Sequence, residues 1–141
     1  MAAASQPPPE GPLRVSILTQ GSYLIASIHT ALDDGQLVRF RRDLLEQIGR
    51  QRSRGVIIDV AALDVIDSFA CHTLRTITEV ARLRGAETVV VGIQPDVALA
   101  MVRLGVSAES LTTALDLEEG MARLEVITRG AVFLPGKDGA R

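Results

Sequence analysis

Residues 56–74 read VIIDVAALDVIDSFACHTL, and the order of features in this stretch decides the fold. Five apolar-rich residues, 56–60 (VIID followed by Val), form a short run of the kind found in a central parallel strand covered on both faces. A short loop follows, and three carboxylates, Asp59, Asp64 and Asp67, come just before Ser68. From Ser68 the pattern changes to a helical one, with Ala70, Leu74, Ile77 and Ala81 as a stripe at spacings of three and four. Gly85 stands where a helix-terminating glycine belongs. A buried strand that runs through a loop into a helix is one unit of an α/β sheet, and ligand or partner chemistry in such sheets collects at the carboxyl ends of the strands.

The flanking sequence repeats the unit. Residues 13–18 (LRVSIL) alternate apolar and polar as a half-buried strand does. Gln20, Gly21 and Ser22 signal a turn, and residues 23–28 (YLIASI) return as a second strand, giving an opening hairpin. Asp33, Asp34, Gly35 and Gln36 start a helix, with a carboxylate placed to accept from first-turn N–H groups. Leu37, Phe40, Leu44 and Ile48 form its apolar stripe, and Gly55 closes the region. Residues 88–93 (TVVVGI) read as another buried strand. Pro95 fits the first turn of a helix striped by Val97, Met101 and Leu104 and ended by Gly105. Residues 110–114 read as a short edge strand. Asp116 and Glu119 form an acidic variant of a capping box before a last helix through Leu124. The expected fold is a single α/β domain with a mixed, mostly parallel sheet of four to five strands and about four helices. The domain is expected over residues 13–126, preceded by a flexible Pro-rich arm over 1–12 and followed by a loose tail over 127–141.

Composition narrows the function classes. The chain has 141 residues, 47% hydrophobic and 23% charged, as one soluble domain requires. Aromatics are 3% with no Trp and the net charge is -2, which argues against a base-stacking or basic nucleic-acid surface. Cys71 is alone, so neither an internal disulfide nor a cysteine-rich metal site is possible. Charges interrupt every apolar stretch, no secretory signal pattern opens the chain, and a cytoplasmic protein without membrane contact is expected.

Ser68 is the residue on which function turns, and the residues alone leave three readings open. It can cap the helix, contributing on the order of 1 kcal/mol. It can accept a phosphate, whose charge of about -1.5 to -2 would sit among helix N–H groups and carboxylates. It can act as a nucleophile with His72 one helical turn on, although DSFAC lacks the G-x-S-x-G of a nucleophile elbow. The carboxylates Asp59, Asp64 and Asp67 invite a metal reading, but they are equally loop and cap residues. Gly92 to Pro95 (GIQP) lacks a dinucleotide or P-loop spacing and reads as a tight turn into a helix.

The layout and the segment above resemble STAS domains, the fold of anti-anti-sigma factors. The segments ALDD ending at Asp34, DVIDSF around Ser68, GIQPDVALAMVRLG from Gly92 and ALDLEEGM from Ala114 are similar to the RsbS type, the STAS-only scaffold subunits of bacterial stressosomes. The resemblance covers about residues 13–126. It implies a non-catalytic protein of the stress response, with no cofactor and no metal, that co-assembles with R-type STAS paralogues as a homo- or hetero-oligomer. It further implies that the assembly holds a GHKL-type switch kinase, that this kinase phosphorylates Ser68 and is released, and that a phosphatase resets the scaffold. Asp64, Asp67 and Phe69 would belong to the kinase-facing loop. A free anti-anti-sigma factor that binds an anti-sigma kinase directly is the alternative implied by the same family.

Overall fold

The computed structural model describes residues 14–133; the Pro-rich arm and the last eight residues lie outside it. Its elements are β1 (Val15–Gln20), β2 (Tyr23–Ile28), α1 (Asp34–Gln51), β3 (Gly55–Asp59), α2 (Ser68–Leu83), β4 (Glu87–Val91), α3 (Pro95–Arg103), β5 (Thr112–Ala114) and α4 (Leu117–Phe133). The five strands lie in sequence order, β1-β2-β3-β4-β5. The β1–β2 pair is antiparallel and the other three pairs are parallel.

Strand alternation divides the core in two. Leu24, Ala26, Ile28, Val56, Ile58 and Val90 point to one face, where Phe40, Leu44 and Ile48 of α1 and Leu74, Ile77 and Ala81 of α2 cover them. Tyr23, Ile25, Ile57, Val89 and Val91 point to the other, where Leu124 and Met121 of α4 pack. The continuous apolar runs of β3 and β4 are explained by this double cover. A third cluster joins α2 to α3 through Cys71, Val97, Met101, Val106 and Leu111. Successive crossovers of the usual right hand that advance along a sheet in one direction place their helices on one face, and α1 and α2 share the face of Leu24 and Val56. The face left bare then falls to α4. It lies close to the sheet because Gly120 carries no side chain: a Cβ there would sit 2.6 Å from Cγ1 of Val91.

Several details depart from expectation. The first helix stops at Gln51, where Arg52 takes the left-handed conformation (φ 51°) and donates its N–H to the carbonyls of Ile48 and Gly49; Gly55 is the first residue of β3. Leu104 is not a core residue. It is the C-cap of α3 and 43% exposed, because the helix ends before the stripe comes round again. The expected boundary at residue 126 falls inside α4, which runs on to Phe133. Thr128, assigned to a loose tail, is buried. Its hydroxyl lies 2.9 Å from that of Tyr23, and its carbonyl accepts from Nη2 of Arg54 at 3.1 Å. Thr128 is itself polar and its partners Tyr23 and Arg54 lie far off in sequence, so local pattern gives no sign that its hydroxyl is buried.

Thr88 of β4 is buried, and among the described residues its hydroxyl has no hydrogen-bond partner. An unpaired hydroxyl in an apolar core is destabilising, and a same-shaped apolar side chain removes the penalty. Thr88→Val is expected to raise stability by about 1 kcal/mol, read as a higher urea midpoint at an unchanged denaturant slope.

Candidate functional site

The parallel strands end, and helices α1, α2 and α3 begin, along the same edge of the sheet. The loop from β3 to α2 lies on this edge. Its start is set by Asp59, whose side chain accepts from the Ala61 N–H at 2.9 Å, and by the Leu63 N–H, which donates to the Val60 carbonyl at 3.0 Å. Leu63 is buried in the main core, and Ile66 packs where that core meets the α2–α3 cluster. Asp64 and Val65 between these anchors and Asp67 just after them are exposed, Val65 at 64%.

The helix cap corrects the simplest reading of Ser68. Asp67 is the N-cap of α2, with extended backbone (φ -111°, ψ 179°), and its carboxylate accepts from the Ala70 N–H at 2.9 Å. Ser68 is therefore the first helical residue, exposed to solvent, and its hydroxyl is not the capping group. Asp at this position is as good a cap as Ser, and the one-residue shift cannot be read from spacing alone. Phe69 is half-buried and Ala70, expected in the core stripe, is half-buried as well. The buried face of α2 is broader than that stripe and includes Cys71, Thr73 and Thr78. The two threonine hydroxyls donate back to the carbonyls of Phe69 (2.8 Å) and Leu74 (2.9 Å), so each is committed inside the helix.

The other candidates are placed as follows. His72 is exposed on α2. Cys71 is buried against α3, and burial, then the nearby Asp67 carboxylate, push its thiol above the usual range against a smaller opposing effect of Arg75. Among the described residues no three His, Cys, Asp or Glu side chains converge as a metal site. An apolar cleft of about 170 Å³ runs beside the loop, lined by residues that include Leu32, Leu63, Val65, Ile66 and Leu74. Among the described residues no helix is long and apolar enough to cross a membrane.

A sheet with an opening hairpin followed by three one-way crossovers is matched by known proteins. Residues 14–120 match the STAS domain family. This chain belongs to the STAS family. The RsbT co-antagonist protein RsbRA of Bacillus subtilis is 31% identical over 104 residues, which are 73% of this chain and 38% of RsbRA. RsbRC of the same organism is 31% identical over 78 residues, 55% of this chain and 28% of its own length. The STAS chain thus spans well under half of these relatives. Among solved structures, a serine-to-glutamate variant of RsbS from Moorella thermoacetica superposes with a TM-score of 0.74 at 33% identity, covering 83% of this chain and 99% of that one. A chain from a structure of the stressosome, described as a signal integration and transduction hub, gives 0.67 at 30% identity and covers 81% and 99%.

The cap assignment has a direct test. Asp67→Ala is expected to cost about 1 kcal/mol of stability, and Ser68→Ala less than about 0.5 kcal/mol; chemical denaturation of the two variants distinguishes them, and equal losses would contradict the assignment. The raised thiol gives a second test. Reaction of Cys71 in the folded chain with an aromatic disulfide reagent is expected to be slow at neutral pH and to accelerate only at a pH above that of a free cysteine, since the thiolate is the nucleophile.

Proposed function

We propose that this STAS chain is a non-catalytic scaffold and phosphoswitch of the stressosome type. In this reading it co-assembles in the cytoplasm with R-type STAS paralogues and holds a GHKL-type switch kinase. It releases that kinase when Ser68 is phosphorylated, and a phosphatase later restores the binding form. The observation that carries the reading is the exposed Ser68 hydroxyl at the first position of α2, left uncommitted because Asp67 makes the cap. Support also comes from the relatives, which are named as co-antagonists of RsbT or belong to a stressosome, and from the RsbS variant, in which a serine is replaced by an acidic residue.

The physical chemistry agrees with a switch of surface rather than of fold. A phosphate of charge about -1.5 to -2 at the first position of a helix meets unpaired N–H groups and the positive end of the dipole, so the helix tolerates it. The exposed carboxylates of Asp64 and Asp67 lie on the same loop edge, and added negative charge there deepens a like-charge field. A close-packed or acidic kinase surface docked on Asp64, Asp67 and Phe69 would be repelled. Catalysis is disfavoured by the same geometry. The carboxylate next to Ser68 is engaged by the Ala70 N–H, and Ser68 and His72 both lie on an open helix surface rather than in a water-excluding site.

Incubation with the switch kinase of the same genome and Mg-ATP is expected to add one phosphate, mapped by peptide mass to Ser68 and absent in Ser68→Ala. The Ala variant is expected to retain the kinase through size exclusion in the presence of ATP, whereas the wild type releases it. An active kinase that leaves the wild type unmodified would overturn the switch. A species that stays monomeric with an R-type partner, rather than forming a megadalton particle, would favour a free anti-anti-sigma factor over a scaffold.

A further inference from the structure

Gln94 is the N-cap residue of α3, yet its side chain makes no capping hydrogen bond. It reaches instead across to the β3–α2 loop, where Nε2 donates to the carbonyl of Ala61 at 2.8 Å. Ala61 thus has both backbone polar groups held by side chains from strand ends: its N–H by Asp59 of β3 and its carbonyl by Gln94 beyond β4. The approach is close because Gly92, at φ +81°, has no Cβ; one built there would lie 2.8 Å from Cβ of Ala61 and 3.1 Å from its N and Cα. Pro95 at the helix start fixes the backbone just after Gln94. The Val60 N–H completes the join by donating to the Val91 carbonyl at 3.0 Å.

A helix start normally uses its N-cap side chain on its own orphan N–H groups. Here the side chain binds the loop instead, at the start of the 61–67 stretch that leads to Ser68 and is exposed except at Leu63 and Ile66. We propose that Gln94 is a positioning residue: it holds the β3–α2 loop in the one arrangement that a partner kinase reads, and so sets the affinity of docking at Ser68. The inference rests on the phosphoswitch reading of Ser68. Its physical basis is pre-organisation. A loop already fixed in the free protein loses little conformational freedom on docking, and a loosened loop loses more. The chemistry at Ser68 is unaffected, because Gln94 is nowhere in contact with that residue's hydroxyl.

The full-length chain provides the test. Gln94→Met keeps the length of the side chain and removes the donor; Gln94→Lys restores a donor. In Gln94→Met, amide exchange over residues 61–66 is expected to accelerate by about tenfold while exchange in β3 and β4 is unchanged. The KM for the chain as kinase substrate is expected to rise by about five- to tenfold at a kcat within about twofold. Gln94→Lys is expected to restore both. Exchange and KM that stay at wild-type values in Gln94→Met would overturn the proposal. So would faster exchange with an unchanged KM, or a raised KM without faster exchange, since the latter would make Gln94 a direct kinase contact. The exchange measurement needs no kinase: a wild-type chain that takes no phosphate sinks the phosphoswitch and with it the docking consequence, while exchange still decides whether Gln94 holds the loop.

Discussion

The constraint on which this structure depends is the burial of β3 and β4 on both faces. Ile57, Val89 and Val91 point one way and Val56, Ile58 and Val90 the other, so neither strand can tolerate water on either side. Two layers of helix are required. Crossovers of one hand, taken in one direction along the sheet, supply only one layer. The chain meets the requirement by sending α4 back beneath the sheet after β5, with Gly120 permitting the close approach. The same one-way path brings every parallel strand to an end on one edge and starts every crossover helix there. The loop–helix edge that presents Ser68 is therefore a consequence of core packing, not an addition to it.

That edge combines rigidity with exposure. Its loop is anchored by Leu63 and Ile66 in apolar clusters and by side-chain bonds to Ala61, while Asp64, Val65, Asp67 and Ser68 face water. A surface used for recognition benefits from this arrangement, since side chains are displayed without a large ordering cost on binding. The neighbouring thiol of Cys71 is buried, and that burial pushes it above the usual range.

The relation to known STAS proteins has the same modular character. The match to RsbS covers nearly all of that protein, whereas the match to RsbRA covers 38% of it. What is shared is the domain that presents the loop–helix edge. An assembly made from chains that share such a domain can vary what is attached elsewhere without altering that edge.

Much of this was legible in the residues themselves. Continuous apolar runs in β3 and β4 and the Leu37, Phe40, Leu44, Ile48 stripe report local burial directly, because burial on a strand or helix face follows the backbone repeat. The helix starts at Asp33 to Gln36 and at Pro95 were readable from capping chemistry and the fixed backbone of proline. The assignment of the α2 cap to Asp67 rather than Ser68 was not, since both residue types cap equally well and only backbone angles distinguish them. Nor was the extension of α4, whose Thr128 is held by Tyr23 and Arg54, residues 105 and 74 positions away. The use of Gln94 on Ala61, across 33 positions, likewise left no local trace. Sequence determined which elements form and which faces they bury, because those depend on neighbours along the chain. Tertiary structure decided which polar side chains are spent on the scaffold and which, like Ser68, remain free, because that depends on neighbours brought together only by folding.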